Sequence, residues 1–223
     1  MSFNANTNIK PIIFSLEGNI GSGKSTMLKQ IKEQYPHWNY IDEPVDSWLS
    51  MKDENGSSLL ECFYSDKKRW SYTFQNCAFI TRYLTAYEKM KEYTNSANSK
   101  NKNIIFISER GILTDRHVFA KMLKDEGSLN DIEWTLYTKW FDHFSSLVNP
   151  NGIIYVTTKS DTCFDRIKIR GRKGEEGIPV DYLKNLDKYH EDWLKNTSCP
   201  VLYITSDKEE LPKIYDFAMS LSN

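Results

Sequence analysis

Pro11-Ile12-Ile13-Phe14-Ser15-Leu16 is followed one residue later by Gly18-Asn19-Ile20-Gly21-Ser22-Gly23-Lys24-Ser25. Met27, Leu28 and Ile31 come next, at helical spacing. The first run is continuously apolar and short, which suits a strand buried on both faces. The last predicts a helix over Ser25 to Tyr35. Between them the octet matches GxxxxGK[ST], a match that background composition gives with a chance of about 1% in a chain of this size. Its glycines permit a tight turn whose N–H groups point inward, and the helix start adds a positive end, so the segment reads as a phosphate cradle. The candidate phosphate-binding residues are Gly18, Asn19, Ile20, Gly21, Ser22, Gly23, Lys24, Ser25 and Thr26. Lys24 is placed on the β and γ phosphates of a nucleoside triphosphate, ATP or GTP, and Ser25 on Mg²⁺.

Outward from the cradle the same grammar repeats. Asn39 to Ile41, Asn103 to Ser108, Gly152 to Thr157 and Val201 to Ile204 read as further strands. Helical patterns separate them: about Trp70 to Tyr93, Thr114 to Lys124, Asp131 to Leu147, Asp161 to Ile169, Val180 to Leu194 and Glu209 to Leu221. Residues 45–64 carry no clear period. Apolar strands alternating with long helices indicate βαβ units. The expected fold is α/β: a P-loop three-layer α/β/α fold around a central five-stranded parallel sheet. A single domain over 1–223 is expected, with a polar N-terminal extension (1–10), a surface linker over Ser96 to Asn103, and a lid around 166–178.

Composition narrows the function. Lys plus Arg is 29 and Asp plus Glu is 30, a formal charge of −1, so no general field draws the chain to nucleic acid or an anionic membrane. No apolar run is long enough to span a bilayer. The polar start predicts a cytoplasmic address, with a mitochondrial one left open. Cys62, Cys77, Cys163 and Cys199 form no ligand pattern and are expected as reduced thiols. Asn101-Lys102-Asn103-Ile104 lacks the Asp of a guanine-reading motif, and no strand ends in the plain Asp of the usual magnesium-holding motif. A small-molecule kinase is then the economical reading.

Glu43 follows the second strand, and Pro44 keeps it out of helical geometry. Ligands bind beyond the carboxyl ends of parallel strands, so this carboxylate can take the proton of an attacking hydroxyl. Glu109 and Arg110 close another strand, as metal-shell and charge-neutralising candidates. Gln75, Ala78 and Arg82 share one helix face, where Gln75 can read a planar base edge. Arg82 and Asp115 can pair on that edge, with Phe63, Phe74 and Phe119 as stacking walls. Residues 166–173 place five positive charges in eight residues ahead of a glycine-rich stretch. Such a basic helix end looks like a lid that excludes water from a triphosphate.

These residues together resemble the deoxynucleoside kinase family, in its deoxycytidine, deoxyguanosine and deoxyadenosine kinase branch. The resemblance runs from about Ile12 to Ile204. It is carried by the cradle, Glu43-Pro44-Val45, Trp70 to Gln75, Glu109-Arg110 with Asp115-Arg116, and Arg166 to Arg172 followed by Glu175. It implies transfer of the γ-phosphoryl of ATP to the 5′-hydroxyl of a deoxynucleoside, with Mg²⁺ held by Ser25 and Glu109. It implies Glu43 as general base, Arg110 assisting at the 5′ oxygen, and Arg166, Arg170 and Arg172 as lid arginines. Tyr64 and Glu175 resemble the residues on the sugar 3′-hydroxyl. Phe74 and Phe119 resemble the rings around the base, and Trp48 the residue that closes the pocket. The Arg82–Asp115 pair resembles the branch that takes purines or deoxycytidine rather than thymidine, with a lean to purine. Lys173-Gly174 departs from the family's commoner polar or acidic lid residues. The family also implies a homodimer through helices about 71–92 and 131–147, and the rings Trp134, Tyr137, Trp140, Phe141 and Phe144 exceed what one core face needs. The alternatives are a thymidylate-type nucleoside monophosphate kinase and a non-catalytic nucleotide-binding regulator. A carboxylate at Glu43 would repel the acceptor phosphate of the first. The full set of base, lysine, metal residues and lid argues against the second.

Overall fold

The structure is a computed structural model that describes residues 10–95 and 103–222. The N-terminal extension and most of the Ser96 to Asn103 linker lie outside these residues. Five strands, β1 (Lys10–Glu17), β2 (Asn39–Ile41), β3 (Asn103–Glu109), β4 (Gly152–Val156) and β5 (Val201–Ile204), form one sheet in the order β2-β3-β1-β4-β5. Every pairing is parallel; Leu16 of β1 stands beside Glu109 of β3, and Glu17 beside Tyr155 of β4. The five-stranded parallel α/β expectation holds.

Side chains alternate across β1, as a strand requires. Ile12, Phe14 and Leu16 face a core with Met27, Leu28 and Ile31 of α1 (Lys24–Gln34) and with Leu211, Ile214 and Ala218 of α10 (Leu211–Ser220). Ile13 faces the opposite core, formed with α4 (Lys67–Asn95) and α7 (Asp131–Phe144). Beside it, Ile153 and Tyr155 of β4 pack with α8 (Ser160–Arg170) and α9 (Val180–Asn196). Helices thus cover both faces of the sheet, which explains the unbroken apolar strands.

Three segments depart from expectation. The unperiodic residues 45–64 fold as two short helices, α2 (Val45–Ser50) and α3 (Leu59–Ser65). Each is too brief to show a period; α3 starts on a capping box in which Ser58 and Glu61 bond each other's backbone N–H. The helix expected over Thr114 to Lys124 is α5 (Ile112–Thr114), a wide π turn (Asp115–Ala120) and α6 (Lys121–Asp125). The helix expected to reach Leu147 ends at Phe144, with a tight turn over Ser145–Leu147. All four cysteines are free thiols. No helix among the described residues is long and apolar enough to cross a membrane.

Candidate active site

Parallel strands put all their carboxyl ends at one edge of the sheet. A cavity of about 400 Å³ opens there. One end of it is the glycine loop between β1 and α1. Gly21 has φ +77°, and a Cβ on it would lie 2.5 Å from the Cys163 carbonyl oxygen, so only glycine lets the loop rest on α8. Lys24 Nζ donates to the carbonyls of Gly18 (3.2 Å) and Asn19 (2.6 Å). Burial pulls the Lys24 ammonium down to about 7, and Arg110 adds to this; Glu43, Glu109 and Glu17 oppose it. The Asn19 side chain turns away from the cavity, donating to Leu183 O (2.8 Å) and Asp187 Oδ1 (2.5 Å) and so anchoring the loop to α9.

Ser25 Oγ donates to Glu109 Oε1 at 2.6 Å. The loop and the end of β3 thus bring a hydroxyl and a carboxylate into contact. These are hard oxygen donors, and one or two of them beside a polyphosphate is what Mg²⁺ takes. Among the described residues there is no group of three or more His, Cys, Asp or Glu able to hold a metal alone.

The other end of the cavity is built from side chains. Glu43, at the exit of β2, accepts from Arg82 Nη2 at 2.5 Å, and Arg110 Nε lies 3.3 Å from the same oxygen. Arg82 Nη1 donates to Asp115, which the π turn presents. Burial pushes the Glu43 carboxyl up, but Arg82, Arg110 and Lys24 together outweigh it and hold it at about 2. For Asp115 the balance is opposite: burial lifts it to about 6 against the pull of Arg82 and Arg110. Gln75 is buried, and its Oε1 has no hydrogen-bond partner among the described residues. An orphaned buried acceptor costs about 1–3 kcal/mol, so a ligand that donates to it recovers that cost. Phe74, Trp48 and Phe119 line this end of the cavity as well. Trp48 meets Phe74 edge-on (5.5 Å, 73°) and is fixed by its Nε1 donating to Thr81 Oγ1 at 3.0 Å.

The basic cluster forms the roof. Arg166 Nη1 donates to the Ser22 carbonyl at 2.9 Å. Glu175, 4% exposed, takes Arg170 and, at 3.0 Å, Arg172. Lys173 reaches across to Glu61 of α3 at 2.8 Å.

The model of the deoxynucleoside kinase family matches residues 14–218. Human deoxycytidine kinase is 35% identical, over 84% of this chain and 76% of its own length. Deoxycytidine kinase 2 of Gallus gallus is 35% identical, over 81% and 72%. The mitochondrial deoxyguanosine kinase of Xenopus laevis is 34% identical, over 85% and 75%. The chain belongs to the deoxynucleoside kinase family. It is accordingly a phosphotransferase acting on deoxynucleosides, with a nucleoside triphosphate as donor.

The walls of this kinase cavity include every residue expected from the sequence except Gly18, Asn19, Ser22 and Phe63. Gly18 and Ser22 are loop residues beneath the surface, and Ser22 is fully buried. Phe63, expected as a stacking wall, stands one layer back and stacks on Phe74 at 4.5 Å and 14°. Leu60 lines the cavity and was not expected, because α3 itself was not. Glu17 was also missed. It is 0% exposed and accepts from the Gly111 N–H at 2.7 Å. Its signal was available: a charged residue closing an apolar strand on the same side as Ile13 and Ser15.

Proposed function

We propose that this kinase transfers the γ-phosphoryl of ATP to the 5′-hydroxyl of deoxycytidine or a purine deoxynucleoside, with thymidine a poor acceptor. The observation that carries this is the shared cavity. Lys24 and the lid arginines stand at its phosphate end, and Glu43, Arg110, Gln75 and the Arg82–Asp115 pair at its acceptor end.

Ser25 and Glu109 would hold a magnesium ion, which when bound supplies positive charge to the phosphates. Lys24 contacts the transferring phosphoryl oxygens, and in contact with phosphate its proton is retained. Glu43 accepts the 5′-hydroxyl proton as that oxygen attacks phosphorus. For this it must first lose part of its hold on Arg82, since a carboxylate of pKa about 2 is a weak base. A base bound between Phe74 and Phe119 competes for Arg82 and so frees Glu43. Arg110 neutralises charge at the 5′ oxygen. Arg166, Arg170 and Arg172 roof the triphosphate, while Tyr64 and Glu175 hold the sugar.

Base choice follows from donors and acceptors. Cytosine and adenine carry an amino group that can donate to Asp115, and guanine offers acceptors to Arg82. Thymine turns a carbonyl toward the carboxylate instead. The test is a phosphorylation panel with ATP across deoxycytidine, deoxyadenosine, deoxyguanosine, thymidine and their monophosphates. Turnover of a non-thymidine deoxynucleoside is expected, with thymidine about 10- to 100-fold poorer. Turnover confined to thymidine or to monophosphates would overturn the assignment.

Assembly as a homodimer fits the outer faces of α4 and α7. Ile132, Leu136 and Trp140 form an i, i+4, i+8 stripe on α7, exposed 74%, 42% and 52%, and Ile80 and Leu84 of α4 are exposed 42% and 44%. Of the five rings expected here, Trp140 alone is exposed, while Tyr137 and Phe141 are core residues and Trp134 and Phe144 pack against them; burying Trp140 and these aliphatics against a second copy removes apolar surface from water.

A further inference from the structure

We infer that Glu17 is a positioning residue that sets Arg110 for phosphoryl transfer. The inference rests on the proposed roles of Glu43 and Arg110. Arg110 is the one non-glycine residue with positive φ (61°) among the described residues. That left-handed conformation is costly for a side chain with a Cβ, so the surroundings must impose it. They do so at three backbone points. The Arg110 N–H donates to Leu16 O at 3.1 Å, the Arg110 carbonyl accepts from Ser108 Oγ at 2.7 Å, and the next N–H, that of Gly111, donates to Glu17 Oε1 at 2.7 Å.

The same Glu17 oxygen accepts from Ser15 Oγ. Its second oxygen has no hydrogen-bond partner and faces Arg110 Nη1 at 3.9 Å, a guanidinium nitrogen that is itself without a partner. Arg110 Nε meanwhile points to Glu43. A single buried carboxylate therefore holds both the backbone and the far side of the guanidinium whose near side meets the general base. Gly111 fits the arrangement: a Cβ there would come within 2.8 Å of Ser15 Oγ and 3.5 Å of Glu17 Oε1. Glu17 also precedes Gly18 directly, so one side chain links the start of the phosphate loop to the arginine at the acceptor end.

Glu17→Gln keeps the shape. It presents either its oxygen to Gly111 and an amide N–H₂ to the guanidinium, donor against donor, or the reverse. The expected result is a fall in kcat of about 10- to 100-fold, with KM for ATP changed by less than about threefold. In an Arg110→Ala background the same substitution should cost less than about threefold, because Glu17 acts through Arg110. Should Glu17→Gln fail to fold, Gly111→Ala carries the same pair of expectations. Additive losses in the double variant, or a kcat within threefold of the parent in the single one, would overturn the inference. A parent enzyme that phosphorylates no deoxynucleoside overturns the proposed function instead, so the two failures are told apart.

Discussion

The two ends of the cavity are made differently. The floor of the proposed phosphate end is one contiguous segment, residues 18–26, in which backbone groups and positive-φ glycines do the shaping, beneath the arginines of residues 166–172. The proposed acceptor end draws separate side chains from the exits of β2 and β3, from α2, α3, α4 and the π turn, and from Glu175 after α8. Backbone recognition suits a ligand part that never varies, the polyphosphate. Side-chain recognition suits the part that distinguishes one substrate from another. The largest test of this division is Glu43→Gln. Turnover is expected to fall by about 10² or more, with binding of a non-hydrolysable ATP analogue unchanged within about twofold. Loss of nucleotide binding in step with turnover would mean the two ends are not separable.

Next in size is the Arg82–Asp115 pair. Arg82→Met combined with Asp115→Ala removes both charges from the base edge and releases Glu43 from one of its two arginines. The ratio of kcat/KM for thymidine to that for deoxycytidine is expected to rise about 10- to 100-fold. An unchanged ratio, measured in direct competition, would show that the pair does not read the base.

How much was legible follows the same division. The three central strands, β1, β3 and β4, could be read because strands buried on both faces are written as unbroken apolar runs, as in Ile104 to Ile107, whereas the edge strands β2 and β5 are only partly buried and were read from their place between helical patterns. The glycine loop between β1 and α1 could be read because its parts are adjacent. The π turn could not: one wider turn inside a helical stretch leaves the apolar spacing almost intact, yet it aims Asp115 into the cavity. Phe63 and Phe74 show the limit of pattern for aromatics, since both sit on helices as apolar residues and only depth separates the wall from its support. Glu17 escaped because its partners, Gly111 and Arg110, are more than ninety residues away in sequence.

A pH test sharpens the phosphate end. Lys24 sits at about 7 in the free protein, lowered by burial. Phosphate oxygens favour its charged form and raise it. Below pH 7 the proton is already present; above it, binding must take one up. Affinity for ATP is therefore expected to fall up to about tenfold per unit as pH rises from 7 toward the bound value. Calorimetry at pH 8 in buffers of different ionisation enthalpy should show uptake of up to about one proton. A proton count of zero in the parent, equal to that of Lys24→Met, would remove Lys24 as the source. Of comparable directness is the subunit test: Trp140→Glu is expected to convert a dimer to monomers by sedimentation, and a parent that is already monomeric would remove the α4–α7 interface.

The smallest expected effect lies at the proposed lid, where Lys173 and Gly174 meet α3. Lys173 pairs with Glu61, whose other oxygen accepts from the Ser58 N–H (2.8 Å) and Oγ–H (2.7 Å) of the α3 cap. Gly174 packs against Glu61, and its N–H donates to Glu176 at 2.7 Å. Bonds from Lys173 and Ser58 hold the Glu61 carboxyl down at about 2, so the pair persists across the working pH range. Lys173 is exposed and screened, which limits its worth. Lys173→Met should raise KM for the deoxynucleoside about two- to fivefold at low salt, and the difference should vanish near 1 M salt, where the screening length is about 3 Å. Glu61→Gln is the matched control, because glutamine still completes the capping box while giving up the charge. The two variants should show the same loss, and the double variant no more than either alone. A larger loss in Glu61→Gln would assign the effect to the α3 cap rather than to the lid contact.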